Sequence, residues 1–120
     1  MSDHTPIGTP TPYGFAEIDV HSAERTLESF HLVDVREHDE FVGELGHIEG
    51  AALIPVGTVP ARADEFPDDR PVLMICRSGA RSARACEFLA RQRGGDYYNL
   101  TGGMIAWNEA GLPTSREPAD

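Results

Sequence analysis

Cys76 is the residue whose type and surroundings most clearly indicate chemistry. It begins the hexapeptide Cys-Arg-Ser-Gly-Ala-Arg (76–81), between the apolar run Val72–Ile75 and a helical pattern that starts near Ser82. A loop between a strand and a helix directs backbone N–H groups toward a common centre, and the positive end of the helix dipole adds to them. Such surroundings lower the pKa of a cysteine from about 8.5 to about 3.5–7.5, which leaves thiolate at neutral pH. The pattern therefore predicts a nucleophilic cysteine at the edge of an anion-binding loop.

The arginines around this loop support an anion site. Residues 77–93 contain five of the ten arginines and one acid, Glu87, a formal balance of +4 in a chain whose net charge is -10. A basic island in an acidic chain attracts small anions. Arg77 and Arg81 lie in the loop itself, and we expect them to contact a substrate. The candidate binding loop comprises Arg77, Ser78, Gly79, Ala80, Arg81 and Ser82.

The length and composition predict one folded domain with short flanking segments. A chain of 120 residues, 40% of them hydrophobic, suits a single core. Prolines and glycines among polar residues predict a flexible leader over residues 1–14. We expect the domain to cover residues 15–113 and a tail to cover 114–120.

The net charge and the cysteine content indicate the cellular compartment and exclude some classes of partner. A net charge of -10 argues against nucleic acid and against an anionic membrane as partners. The chain has no long apolar run, and its N-terminus lacks the basic-then-apolar pattern of a secretory signal. Two cysteines without a CxxC pair do not make a disulfide framework and favour a reducing compartment. We therefore expect a cytoplasmic protein, and a monomer.

Apolar clusters alternate with helical stretches along the chain, which predicts a mostly parallel sheet covered by helices on both faces. Catalytic sites in such sheets lie at the carboxyl ends of strands, and Cys76 follows one of them. The predicted strands are 15–20, 31–35, 51–55, 71–75 and 96–100, and the predicted helices are 22–30, 82–93 and 103–110. Residues 38–44 are predicted to form a helical turn and residues 57–66 a broken helix.

Four segments, LVDVREHDEF, GHIEGAALIPV, VLMICRSGARSA and YNLTGGMIAWNEAGLP, resemble in order those of a single-domain rhodanese, a sulfurtransferase. The likeness runs from about Phe15 to Pro113. It implies the rhodanese-like α/β fold, built on a central, mostly parallel five-stranded sheet. It also implies that Cys76 carries sulfur as a persulfide held by the loop amides, while Arg77 and Arg81 orient an anionic donor such as thiosulfate.

The resemblance implies a reaction in two steps. The Cys76 thiolate attacks the outer sulfur of the donor, sulfite leaves, and an acceptor such as cyanide, a thiol or a protein later removes the sulfur. Converging N–H donors would stabilise the thiolate and the persulfide. No metal and no organic cofactor is expected, because the intermediate is the covalent cysteine persulfide.

Two alternatives remain at this stage. Cysteine phosphatases and arsenate reductases use a loop of the pattern His-Cys-x5-Arg, but here Ile75 replaces the histidine and Arg81 is only the fifth residue after Cys76. The shorter loop should suit one sulfur atom better than a tetrahedral oxyanion. Rhodanese-like domains also serve as non-catalytic interaction modules, which often lack the cysteine. A sulfur relay to a protein acceptor stays open.

Several further residues have structural interpretations. Asp34 and Arg36 match an Asp-x-Arg segment of the family, and we expect Asp34 to support the loop by accepting hydrogen bonds from nearby backbone or an arginine. Cys86 lies on the apolar side of its helix and is expected in the core rather than as a resolving thiol. His47 is expected to be a structural histidine, since the five histidines have no ligand spacing. Trp107 is expected to pack in the core.

Overall fold

The computed structural model describes residues 6–118. Residues 1–5 of the expected leader and residues 119–120 of the expected tail lie outside the described part. The strands are β1 (Thr9–Pro10), β2 (Ala16–Ile18), β3 (His31–Asp34), β4 (Ala52–Leu53), β5 (Val72–Ile75) and β6 (Tyr97–Leu100). The α-helices are α1 (Val20–Arg25), α2 (His38–Phe41), α3 (Ala80–Arg93) and α4 (Gly103–Glu109), and short 3-10 helices cover Leu27–Ser29, Val56–Thr58 and Ala63–Glu65.

The strands form one sheet in the order β1-β2-β6-β5-β3-β4. Strands β2 to β6 run parallel to one another, and β1 pairs antiparallel with β2 through Thr9 opposite Glu17 and Pro10 opposite Ala16. The predicted α/β class and mostly parallel sheet are confirmed. The sheet has one strand more than the five expected, because β1 forms within the segment 1–14 whose composition predicts a leader.

Strand β5 lies between β6 and β3 and is buried along its whole length. Its side chains alternate between two core clusters. Val72 and Met74 face one cluster, which includes the inner side of α3, and Leu73 and Ile75 face the other, which includes Trp107 of α4. A continuous apolar run is typical of a parallel strand covered on both faces. This arrangement places the residue after β5, Cys76, near the centre of the sheet's carboxyl edge.

Helix α3 begins directly after the loop and packs one stripe against the sheet. Its buried positions are Ser82, Ala85, Cys86 and Leu89, a spacing that follows one face of an α-helix. Gly79 precedes the helix and Gly94 follows it, both with positive φ. The helix therefore starts two residues earlier than predicted and ends where predicted.

The other differences from the predicted elements are local. In place of the single helix predicted over 22–30, α1 covers Val20–Arg25 and a separate 3-10 helix covers Leu27–Ser29. The helix starts early because the Asp19 carboxylate accepts a hydrogen bond from the Ser22 amide over 2.8 Å and caps the first turn. The broken helix predicted over 57–66 consists of two separate 3-10 turns. Beyond Pro113, the amide of Ser115 donates to the carbonyl of His47, and the His47 amide donates to the Ser115 carbonyl, so this part of the tail contacts the domain.

Two residues given structural interpretations above are buried. The ring of His47 stacks on Phe41 with centroids 3.6 Å apart, and His47 Nδ1 lies 2.7 Å from the Phe41 carbonyl oxygen. Trp107 lies in the core, and its indole N–H donates to the Pro113 carbonyl over 2.8 Å. Among residues 6–118 no helix is both long enough and apolar enough to cross a bilayer.

Candidate active site

Backbone hydrogen bonds from the first turn of α4 fix the position of the loop that follows β5. The Met104 amide donates to the Cys76 carbonyl over 2.9 Å, and the Ile105 amide donates to the Arg77 carbonyl over 3.0 Å. A trans peptide unit points its C=O and N–H in opposite directions, so the amides of Arg77 and Ser78 face away from α4. These two contacts therefore turn the start of the loop so that its N–H groups point inward.

Two glycines allow this close approach. Gly103 has a φ of +58°, and a Cβ added there would lie 2.5 Å from the carbonyl oxygens of both Cys76 and Arg77. Gly79 has a φ of +100° at the turn from the loop into α3. Any larger residue at 103 would push α4 away from the loop, so this glycine follows from packing as well as from its backbone conformation.

The sulfur of Cys76 lies inside the loop, where donors converge on it. The Gly79 amide donates to Sγ over 3.1 Å, and the Ser82 hydroxyl oxygen lies 3.2 Å from Sγ. Burial opposes ionisation and raises the pKa of the Cys76 thiol, but the Ser82 hydroxyl and the amides of Ser82, Gly79 and Ser78 together outweigh it. The pKa of this thiol consequently lies below its ordinary value, which favours the nucleophilic thiolate.

A buried polar network extends from Ser82 to the far side of β6. The Ser82 hydroxyl donates to Asn99 Oδ1, and Asn99 Nδ2 donates to the Gly79 carbonyl over 3.0 Å and to both carboxylate oxygens of Glu17 at 3.1 Å. The Thr101 hydroxyl donates to the same carboxylate over 2.7 Å. Strands β2 and β6 thus contribute polar side chains that reach the loop through Ser82.

Asp34 and Arg36 form a buried ion pair next to the loop rather than in it. The Asp34 carboxylate accepts from Arg36 Nε over 2.9 Å, from Nη2 over 2.8 Å and from the Arg36 amide over 3.1 Å. Arg36 also donates to the carbonyls of Glu40 and Gly46. The pair therefore fixes the segment that contains α2 against the end of β3.

The side chain of Arg81 is engaged by α2. Its two terminal nitrogens donate to the Glu40 carboxylate over 2.8 and 2.7 Å. This bidentate contact holds the pKa of Glu40 down to about 2, from an ordinary value of 4.5. Glu40 also accepts from the Glu37 amide and so caps α2 at the same time. Arg81 consequently links the end of the loop to α2.

Arg77 is the exposed cation of the loop, and within residues 6–118 its side chain has no hydrogen-bond or ion-pair partner. It borders a cavity of about 170 Å³ between α2 and the loop. The cavity is lined by Arg36, Asp39, Glu40, Gly43, Glu44, Leu45 and Arg77. Of the two loop arginines, Arg77 is therefore the one whose guanidinium is free to meet an incoming anion.

The second cysteine, Cys86, lies in the core and not at the site. It is 0% exposed, and burial raises the pKa of its thiol well above the ordinary value. Both thiols are free. In the described part of the chain, no group of three or more His, Cys, Asp or Glu side chains is arranged to hold a metal ion.

Four residues of the site's hydrogen-bond network were not among the sequence candidates: Glu17, Glu40, Asn99 and Thr101. Glu40 contacts a residue 41 positions away, and Glu17 contacts one 82 positions away. The signal available for Asn99 is its amide in the interior of a predicted parallel strand, where buried polar groups need partners. The signal for Glu40 is its position three residues after Glu37, which forms a capping box with it.

Comparison with known proteins gives one consistent result. The chain matches the rhodanese-like domain family over residues 19–110. It is 44% identical over 100 residues to a sulfurtransferase of Allochromatium vinosum, covering 81% of this chain and 92% of that protein. It is 33% identical over 101 residues to the thiosulfate sulfurtransferase GlpE of Vibrio cholerae, covering 82% and 93%.

The solved structures agree. The crystal structure of a rhodanese-related protein from Thermoplasma volcanium superimposes with a TM-score of 0.79 at 29% identity, over 84% of this chain and 98% of that one. The similarity therefore spans the sheet, the loop and α4 together.

Proposed function

The chain belongs to the family of rhodanese-like domains, as its four motifs predict, and on this premise we propose that it transfers sulfane sulfur through a persulfide on Cys76. The observation that carries the proposal is the position of Sγ at the centre of the loop, 3.1 Å from the Gly79 amide and 3.2 Å from the Ser82 hydroxyl. Donors placed in this way stabilise a sulfur anion, whether it is the thiolate or the terminal sulfur of a persulfide.

In the first half-reaction the Cys76 thiolate attacks the outer sulfur of a donor such as thiosulfate. The new S–S bond forms as the bond between the two donor sulfurs breaks, and its electron pair leaves with sulfite. The exposed guanidinium of Arg77 is available to bind the anionic end of the donor. Arg81, paired with Glu40, keeps the loop in position.

In the second half-reaction an acceptor nucleophile attacks the terminal sulfur of the persulfide. Cyanide, a low-molecular-weight thiol or a protein thiol can serve, and the electron pair of the broken S–S bond returns to Cys76 as thiolate. The sequence of steps is covalent catalysis without net change at the enzyme, and it requires no metal or organic cofactor. A sulfur relay to a protein acceptor differs only in the identity of this nucleophile.

We further propose that the protein acts as a cytoplasmic monomer. Two free thiols and no disulfide suit a reducing compartment. Light scattering of the purified protein tests the monomer, and the expected mass is the 13.1 kDa of one chain.

The decisive experiment is the intact mass of the protein after incubation with thiosulfate, before and after cyanide. We expect a gain of one sulfur atom, loss of that sulfur on addition of cyanide, and release of thiocyanate. The Cys76→Ser variant should gain nothing, and the matched Cys86→Ser variant should behave as the wild type. Loading that survives in Cys76→Ser would refute the assignment.

The mass experiment and a phosphate-ester assay together separate the alternative functions. A wild type that gains no sulfur from thiosulfate or from other sulfane donors, but cleaves a phosphate ester, would be a phosphatase. A protein inactive in both assays would be an interaction module. Sulfur loading that only a protein acceptor discharges would indicate the relay.

A further inference from the structure

The amide of Asn99 can adopt only one orientation in this structure. Three acceptor oxygens, two from the Glu17 carboxylate and one from the Gly79 carbonyl, surround one end of it at 3.0–3.1 Å. That end must therefore be the NH₂ group, since a carbonyl oxygen there would face three other oxygens. The opposite end is Oδ1, which carries no hydrogen and faces Ser82.

The orientation of Asn99 in turn settles where the Ser82 proton points. Asn99 Oδ1 lies 2.5 Å from the Ser82 hydroxyl oxygen, and only the single hydroxyl proton of Ser82 can lie between two oxygens at that distance. The same proton cannot also point at the sulfur, which lies 3.2 Å from the same oxygen. Because the Ser82 hydroxyl donates its proton to Asn99 Oδ1, the contact with Cys76 must be the thiol S–H donating to Ser82 Oγ.

Ionisation of Cys76 reverses this arrangement. Once the thiol proton has left to water, the sulfur anion faces the lone pairs of Ser82 Oγ, which is unfavourable. The hydroxyl must rotate so that its proton points at the sulfur, and its bond to Asn99 Oδ1 breaks. Ser82 stabilises the thiolate only in this rotated position, so whatever holds Asn99 in place also opposes ionisation.

We propose that Glu17 is a positioning residue for the nucleophile: through Asn99 and Ser82 it opposes ionisation of Cys76 and so limits the fraction of thiolate that the loop amides produce. This inference rests on the proposed function, since it concerns the same thiolate. Glu17 lies on β2, is half-buried and never touches the sulfur. Within residues 6–118 it supplies two of the three acceptors that fix the Asn99 amide, and the only charged group among them.

Removing the carboxylate should therefore free the Ser82 proton. In Glu17→Ala the Gly79 carbonyl is the one acceptor of the three that remains. The Asn99 amide is then held less firmly opposite Ser82, so the hydroxyl proton can turn to the sulfur and stabilise the thiolate. At a fixed pH below the titration midpoint of the wild type, the fraction of Cys76 as thiolate should rise by roughly threefold to tenfold. Glu17→Gln keeps one acceptor oxygen and should give an intermediate result.

The test is the pH dependence of alkylation of the reduced full-length protein by iodoacetamide, with the labelled cysteine identified by peptide mass so that Cys86 is not counted. We expect the profile of Glu17→Ala to move to lower pH. Glu87→Ala, which removes a carboxylate from the outer face of α3, is the matched control and should leave the profile unchanged. An unchanged profile for a folded Glu17→Ala would overturn the proposal.

A double-mutant cycle separates the hydrogen-bond route from a simple charge effect. If Glu17 acts through the Ser82 hydroxyl, Glu17→Ala should change nothing in a Ser82→Ala background. A shift that persists there is electrostatic action through space, and the proposed route is then wrong. Should Glu17→Ala fail to fold, Asn99→Ala removes the acceptor of the Ser82 proton directly and must shift the profile in the same direction, or the proposal fails.

This readout is independent of sulfur transfer. A wild type that takes up no sulfur from any donor would refute the proposed function, yet its alkylation profile would still report on Glu17. Conversely, if Glu17→Ala loads sulfur normally and its pH profile of alkylation equals that of the wild type, the proposed function stands and the proposed role of Glu17 is refuted.

Discussion

Two cysteines ten positions apart have opposite properties although both are buried. Cys76 is 1% exposed and its thiol pKa is lowered, whereas Cys86 is 0% exposed and its thiol pKa is raised well above the ordinary value. Burial raises the pKa at both positions, so burial does not explain the difference. Hydrogen-bond donors do, because several converge on Cys76.

The backbone explains why only one of the two has such donors. Cys86 lies inside α3, where each amide is already bonded to the carbonyl four residues earlier. Cys76 lies before the helix, where the first amides have no such partner and Gly79 turns the chain around the sulfur. The thiol whose pKa is lowered is thus the one next to amides without a helical partner, and the thiol whose pKa is raised lies where the amides are already bonded.

The largest expected effect is on thiol reactivity. In the folded, reduced protein at neutral pH, alkylation should label Cys76 at least about a hundredfold faster than Cys86, because Cys86 is both protonated and closed off until the helix opens. Peptide mass after short labelling measures the ratio of the two alkylation rates. In denaturant the two rates should become similar. Comparable rates in the native protein would contradict the proposed difference between the two thiols.

The second effect concerns the packing that shapes the loop. Gly103→Ala should destabilise the protein by about 2–4 kcal/mol, since it adds backbone strain and a Cβ at 2.5 Å from two carbonyl oxygens. It should also reduce sulfur loading of Cys76 while Cys86 stays unreactive. Urea unfolding and mass after thiosulfate measure the two effects.

Gly111→Ala is the matched control for that substitution. Gly111 also has a positive φ, of +73°, but a Cβ there would meet nothing within 4 Å. Its cost should be limited to backbone strain, about 1–2 kcal/mol, with loading unchanged. Equal costs at the two glycines would mean that the contact with the loop carbonyls is unimportant.

The third effect removes one donor from Cys76. Ser82→Ala deletes the hydroxyl that can stabilise the thiolate, so the Cys76 pKa should rise and thiosulfate loading at neutral pH should slow by roughly threefold to tenfold. At high pH, where the thiol is ionised in either protein, the rates should converge. A uniform loss at every pH would instead point to a distorted loop.

The smallest effect is the stabilisation of the Cys76 loop by the Arg81–Glu40 pair. The pKa of Glu40 is lowered to about 2, so the pair's contribution is complete above about pH 4.5 and is lost as the pH falls toward 2. Because the pair is about one-third exposed, we expect at most about 1 kcal/mol. When the pH is lowered from about 4.5 to about 2, the free energy of unfolding measured in urea should fall less for Glu40→Gln than for the wild type. An equal fall in the two proteins would show that the Arg81–Glu40 pair does not stabilise the loop.

The sequence was sufficient for features that depend on neighbours in the chain. The apolar run of β5, the loop after it and the presence of α3 follow from local patterns, and these alone place Cys76 at the carboxyl edge of the sheet. Cys86 is in the core as predicted, because side-chain periodicity on a helix decides which face is buried, and Trp107 is buried as expected for a large aromatic side chain.

Features that depend on distant contacts could not be predicted in this way. The pairing of Arg81 with Glu40 and the chain from Ser82 through Asn99 to Glu17 join separate elements, and each alternative partner is equally plausible in one sequence. Strand β1 was missed for another reason: its two residues, Thr9 and Pro10, lie among prolines and glycines, and its pairing with β2 depends on the edge of the finished sheet.

Both ends of the sheet finish in a strand of only two residues, Thr9–Pro10 on one side and Ala52–Leu53 on the other. An unpaired strand edge is a template for addition of a strand from another chain, and an edge of two residues offers little of that template. On the side of Thr9–Pro10, the proline also lacks a backbone N–H to donate. We therefore expect this sheet to resist edge-to-edge association of copies of the chain.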